Sequence, residues 1–287
     1  MLHPPLSLVS NDLLGFIVES IADLPFADEN LKNLSLTDRA FTQFCQKYIF
    51  RELRLWDSSD IPERLTKMKK ILDDKPLFAN QVRMIDLSIS RDESKWLFED
   101  STFISILQLL ANSPVPPYEL YLIGERAIPL SFADPVLVVR QLTQSFFSQS
   151  LTNLRVKCAR VPLTLFLLCP RLRNLDVDMV EAAEKSYAKY PDNQRSGREA
   201  PQLEVLVYRN SHSIVRQMIT PPPGFKTPVV LWSKLRVLTL TPHEKDEITC
   251  LQPILDASCS TLEELYLTEM NMNDCWCFFF FDNTKRI

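Results

Sequence analysis

Only four glycines, Gly15, Gly124, Gly197 and Gly224, stand among 287 residues, where an average composition of roughly 7% would supply about twenty. No two share a short motif, so the chain contains no phosphate loop, no dinucleotide-binding G-x-G-x-x-G turn and no G-x-S-x-G nucleophile elbow. Histidine is equally sparse, with His3, His212 and His243. None opens H-E-x-x-H, because the fifth residue of His243-Glu244-Lys245-Asp246-Glu247 is acidic, and that cluster reads as a charged helix amino terminus. Of seven cysteines only Cys275-x-Cys277 is close-spaced, whereas zinc sites use pairs of the form C-x₂₋₄-C, so reduced thiols are expected. No catalytic residue, metal site or cofactor is therefore expected. Lys+Arg 32 against Asp+Glu 36 leaves a net charge of -4, which does not supply the basic surface of a nucleic-acid binder. The longest charge-free apolar stretch, residues 101–118, is broken by Pro114, Pro116 and Pro117, so no membrane span is expected. The Met1-Leu2-His3-Pro4-Pro5 start does not read as a signal peptide, and residence in the cytoplasm or nucleus is expected.

What the chain does have is a repeat. The phrase apolar-x-x-apolar-x-apolar appears as Phe50/Leu53/Leu55, Val82/Ile85/Leu87, Leu151/Leu154/Val156, Leu172/Leu175/Val177, Leu203/Leu206/Tyr208, Leu235/Leu238/Leu240 and Leu262/Leu265/Leu267. A weaker copy, Leu120-x-Leu122, follows Pro117. The last two apolar residues of each phrase are two apart, so they share one face of a strand, and the first tucks in at the strand's start. Between phrases lie helix-like segments at 61–74, 95–112, 135–147, 162–168 and 244–258. Strand and return helix, repeated at intervals of roughly 20 to 35 residues, predict an α/β leucine-rich-repeat solenoid over residues 51–287, with parallel strands concave and helices convex. The Asn or Cys expected three residues past each phrase is replaced by Ser90, Ala159, Val180, Ser211, His243 and Met270, so the repeats are of an irregular type. The segments 181–201 and Pro221-Pro222-Pro223-Gly224 read as surface insertions. The Cys275-Trp276-Cys277-Phe278-Phe279-Phe280-Phe281 run is a closing cap, a partner-binding tail or a repeat cut short.

Residues 1–50 carry a different pattern of three helix-like pieces without a strand phrase. The first is 12–21, with Ser10 or Asn11 as N-cap; the second is 29–36, with Asp28 as capping candidate; the third runs on from Thr37 or Asp38. The segment resembles an F-box. Val9-Ser10-Asn11-Asp12-Leu13-Leu14 occupies the place of the family's L-P-x-E-[LI]-[LI] opening, and Leu34-Ser35-Leu36-Thr37-Asp38-Arg39-Ala40-Phe41 looks like its S-L-V-C-[KR]-x-[WF] segment. Tyr48-Ile49-Phe50-Arg51-Glu52-Leu53 is similar to the L-F-x-x-[LI] with which fungal F-box proteins enter their first repeat. Ser10 replaces the family's proline, and Phe41 its more usual Trp.

The resemblance implies a non-enzymatic substrate-recognition adaptor of a SKP-cullin-F-box ubiquitin ligase, in which the helical segment binds a SKP-type adaptor and through it a cullin-RING ligase. Leu13, Leu14, Ile17, Leu34, Leu36 and Phe41 are then the adaptor-contact candidates, each alternatively a core residue of the bundle. The repeats would hold a protein substrate of unknown identity. Side chains flanking the inward leucines face the concave side, which makes Arg155, Lys157, Asp176, Asp178, Arg209 and Tyr266 the substrate-binding candidates, with cross-strand ion pairing as the other account of the charged ones. The alternative function is a leucine-rich-repeat scaffold that binds a protein without a role in ubiquitin transfer.

Overall fold

The recurring phrase forms strands. The computed structural model describes residues 10–56, 60–89, 96–124, 130–131, 149–183, 200–221, 227–241, 251–267 and 285–286. Its strands are β1 (Glu52–Trp56), β2 (Met84–Ile89), β3 (Glu119–Gly124), β4 (Leu130–Ser131), β5 (Asn153–Val161), β6 (Asn174–Ala182), β7 (Val205–Arg209), β8 (Val237–Thr241), β9 (Glu264–Leu267) and β10 (Lys285–Arg286). They build one sheet in the order β1-β2-β3-β5-β6-β7-β8-β9-β10, with β4 paired to β5. Neighbours from β1 to β9 run parallel, and β10 closes on β9 antiparallel.

The register is unshifted from one strand to the next. Leu53, Ile85, Leu120, Leu154, Leu175, Leu206, Leu238 and Leu265 form one inward row, and Leu55, Leu87, Leu122, Val156, Val177, Tyr208, Leu240 and Leu267 the next. All are buried except the β9 pair, where Leu265 is half-buried and Leu267 exposed. Ahead of each strand a single carbonyl accepts from two successive N–H groups of the next repeat. Arg51, Arg83, Tyr118, Thr152, Arg173, Glu204 and Arg236 all do so, at 2.8 to 3.1 Å. A slip of one residue would turn every inward leucine to solvent, so rows and carbonyl bonds fix the same register twice.

Helices cover the inward face. α1 (Asn11–Ala22), α2 (Ala27–Thr37) and α3 (Arg39–Ile49) precede the sheet, and α4 (Ile61–Asp74) follows β1 as expected. The segment 95–112, expected as one helix, is two: α5 (Trp96–Glu99) and α6 (Ser101–Ala111). Asp100 divides them, because its Oδ1 accepts from the N–H groups of Thr102 and Phe103 at 2.8 and 2.9 Å and caps a new helix. α7 (Thr164–Leu167) and α9 (Gln252–Ser258) are shorter than their expected segments, and 242–250 lies outside the described residues. α8 (His212–Ile219) was not expected; it buries Ile214, Val215 and Met218. β6 extends to Ala182, into the segment expected to be an insertion. The expected helix 135–147, most of 181–201, Pro222 to Gly224 and the Phe-rich run 275–281 lie outside the described residues. Among the described residues no helix is long and apolar enough to cross a membrane.

Two cores result. The larger joins the inward rows to Leu65, Leu72, Phe103, Ile106, Leu107 and Leu110 of the helices. The smaller lies among α1, α2 and α3, where Leu14, Val18, Leu31, Phe41 and Cys45 are buried together. Two contacts tie the bundle to the rest of the chain: Phe50, just past α3, stacks on Phe78, which packs against the larger core, with centroids 4.1 Å apart, and Arg54 of β1 lies 3.2 Å from Asp28 of α2.

Scarce glycine has a structural counterpart. Cys158, Met179 and Asn210 have φ of 49°, 56° and 49° and stand at one register position, just past Lys157, Asp178 and Arg209. Each left-handed residue resets the alternation, so Ala159, Val180 and Ser211 point inward and are buried. Residues with side chains thus make the bend that glycine would make without steric cost.

Candidate functional site

Two surfaces carry the candidate residues. On the helical bundle, Ser10 caps α1 by accepting from the Leu13 N–H at 3.3 Å, and Asp38 caps α3 by accepting from the Ala40 N–H at 2.8 Å. Asp28 does not cap α2; the N-cap is Phe26, in the left-handed region at φ 61°. The six adaptor candidates divide by burial. Leu14 and Phe41 are core residues, 2% and 6% exposed; Ile17 and Leu34 are half-buried against the same cluster; Leu13 and Leu36 are exposed, Leu36 at 84%. Phe16, Leu24 and Phe26 are exposed beside them and were not among the candidates. The signal for Phe26 was the Pro25-Phe26 pair outside any apolar period. For Phe16 it was an α1 apolar on too many faces for one core to cover.

The second surface is the face of the sheet opposite the helices. One row across it reads Arg54, Asp86, Tyr121, Arg155, Asp176, Val207, Thr239 and Tyr266, and the next reads Trp56, Ser88, Ile123, Lys157, Asp178, Arg209 and Thr241. Arg155 Nε lies 2.8 Å from Asp176 Oδ2, at an angle too bent for a hydrogen bond. Its guanidinium stands over the Tyr121 ring, 4.7 Å from the centroid. Arg209 approaches Asp176 Oδ1 only to 4.0 Å. Five of the six candidates therefore share one neighbourhood, Arg155, Asp176 and Arg209 in contact and Asp178 between Lys157 and Arg209 in register. Lys157 and Asp178 are register partners without an ion pair between them among the described residues. Tyr266 stands three strands beyond Asp176, its hydroxyl donating to the Glu264 carboxylate. Thr241, at the end of the second row, is buried.

Tyr121 and Asp86 enlarge the candidate set. Burial pushes the Tyr121 hydroxyl above the ordinary tyrosine range, against the pull of Arg155. Burial also pushes the Asp86 carboxyl up, with Glu52 adding to it and Arg54 and Arg155 opposing. The buried Cys169 thiol is pushed up to about 12 by desolvation, so it stays protonated and is no nucleophile. Among the described residues no group of His, Cys, Asp and Glu could hold a metal ion.

The fold is α/β, built on a single sheet of sequentially ordered parallel strands, an arrangement compatible with a solenoid. No family model matches the chain, and no curated protein or solved structure matches it.

Proposed function

We propose that the chain is a substrate-recognition adaptor of a SKP-cullin-F-box type ubiquitin ligase, with 1–50 as an F-box-like unit and 51–287 as divergent leucine-rich repeats. The observation that carries the reading is the bundle's exposed apolar set. Leu13, Phe16, Leu24, Phe26 and Leu36 are between 51% and 84% exposed, and they supply half of the large apolar side chains left in solvent among the described residues. A bundle closing the end of a sheet has its own small core and needs no such set. A helical partner needs one, since each Leu or Phe covered contributes about 1.5–3 kcal/mol. The sequence resemblance supplies the partner's class, a SKP-type adaptor, and the parallel sheet that begins two residues after the bundle suits a face for a protein substrate. The protein would act by binding alone and carry no catalytic residue.

Co-purification of the full chain with a SKP-type adaptor tests this. Phe16 and Leu36 are exposed, so Phe16→Asp with Leu36→Asp preserves the fold and lowers capture more than about tenfold, as loss of central apolar anchors does. Leu14→Asp would instead place a charge in the small core and unfold the bundle. A correctly folded chain that captures no adaptor overturns the reading and leaves a protein-binding scaffold without a role in ubiquitin transfer.

A further inference from the structure

The open face of the sheet is unevenly charged. In its middle, Arg155 answers Asp176, and Lys157 and Arg209 flank Asp178. Beyond it Val205, Val207, Val237 and Thr239 are uncharged. At the β1 end, Asp28, Glu52, Asp86 and Glu119 are four carboxylates to two guanidiniums, that of Arg54 and that of Arg64, which stands over the Trp56 ring. Glu52 and Glu119 both stand opposite Met84, two residues along β2 from Asp86, which puts their Cα atoms about 8 Å from that of Asp86.

Asp86 is the unfinished member of this group. Its Oδ1 is buried and has no hydrogen-bond partner. The two nearby cations are engaged elsewhere: Arg54 reaches Glu52 at 2.5 Å and Asp28 at 3.2 Å, and Arg155 is held by Asp176 and the Tyr121 ring. A half-buried carboxylate left this way destabilises the free chain, and a guest cation would relieve that. A metal ion is a poor guest, since no group of metal-ligating side chains gathers here among the described residues. Nucleic acid and acidic peptides would be repelled.

We propose that the β1 to β3 end of the open face receives a protein partner through a lysine or arginine side chain, its cation held by the Asp86 carboxylate beside the Tyr121 ring. Glu52 and Glu119 draw the same charge towards the site, and the uncharged Val205 and Val207 of β7 with Val237 and Thr239 of β8 leave room for the partner's apolar residues. This rests on reading the sheet as the partner-binding face and names the class of partner; it does not depend on the adaptor.

The full chain, without any adaptor, is applied to arrays of dodecapeptides with randomised flanks that differ only in a central Arg, Lys, Gln or Glu. The expected result is retention on the Arg and Lys arrays about tenfold above the Gln and Glu arrays, reduced about tenfold by Asp86→Asn, as loss of a charged anchor in an interface does. Glu63→Gln removes the same charge from an exposed position on α4 and is expected to leave retention within about twofold, since surface charge alone contributes little. Equal retention on Arg and Gln arrays overturns the proposal. So does full retention by Asp86→Asn, or a loss in Glu63→Gln as large as that in Asp86→Asn. None of these outcomes bears on capture of the SKP-type adaptor.

Discussion

Ser211 ties two repeats together with one hydroxyl. It accepts from the Val180 N–H of the preceding strand at 3.0 Å and donates to its own repeat's Arg209 carbonyl at 2.7 Å, and it is 1% exposed. It stands three residues past Tyr208, where a regular leucine-rich repeat carries Asn or Cys. At the equivalent positions Ala159 and Val180 are buried and have no such group. Ser211→Ala strands a buried N–H and is expected to cost about 1–3 kcal/mol, seen as a drop of several degrees in Tm; an unchanged Tm would mean that the hydroxyl bonds contribute nothing. Asp86 predicts the opposite sign. Its pKa in the folded chain lies above that of an unfolded carboxylate, so its favourable contribution is present in acid, below about pH 4, and is lost as pH rises through the folded value. Asp86→Asn is therefore expected to raise Tm at pH 7, by about 2 °C, and the gain to shrink as pH falls towards 4. A carboxylate kept at a cost to stability points to binding rather than to folding.

At the scale of elements, the repeat strands β1 to β3 and β5 to β9 were legible, whereas the two-residue strands β4 and β10 and several helices were not, for a physical reason. Burial of one strand face imposes a period of two, so Leu175 and Val177, or Leu238 and Leu240, announce a strand in three residues. A helix of two turns such as α8 shows only Ile214, Val215 and Met218, too few to establish a period, and it passed unread beside His212. The break at Asp100 falls in the polar run Glu99-Asp100-Ser101-Thr102 between buried Leu97 and Phe103, and the Asp100 cap bonds divide α5 from α6. Asp100→Ala removes those bonds and is expected to cost about 1 kcal/mol, with chemical denaturation as the measure. Within the candidate site, the alternation placed Arg155, Asp176 and Arg209 on one face. The contribution of Tyr121 could not be read, since its copy of the phrase is the weak one behind Pro117. The same limit applied to α1 and α2, where the sequence gives apolar residues on several faces and only packing decides that Leu14 is inside and Phe16 outside.

At the scale of the molecule, two cores divide two tasks. The bundle of α1, α2 and α3 closes over Leu14, Val18, Leu31, Phe41 and Cys45 and leaves large apolar side chains in solvent. The sheet buries its leucine rows under helices and turns charged and aromatic rows outward. The Phe50–Phe78 stack and the Arg54–Asp28 pair fasten the bundle to the rest of the chain. A protein that joined an adaptor at the bundle to a substrate on the sheet would need this division, an apolar surface on the bundle and a charged one on the sheet. Calorimetric titration of a SKP-type adaptor into the full chain tests that account most directly. Saturable one-to-one binding, weakened more than about tenfold by Phe16→Asp with Leu36→Asp and unchanged by Asp86→Asn, is the predicted result; no heat of binding from a folded chain, or binding that survives the bundle substitutions, would contradict it.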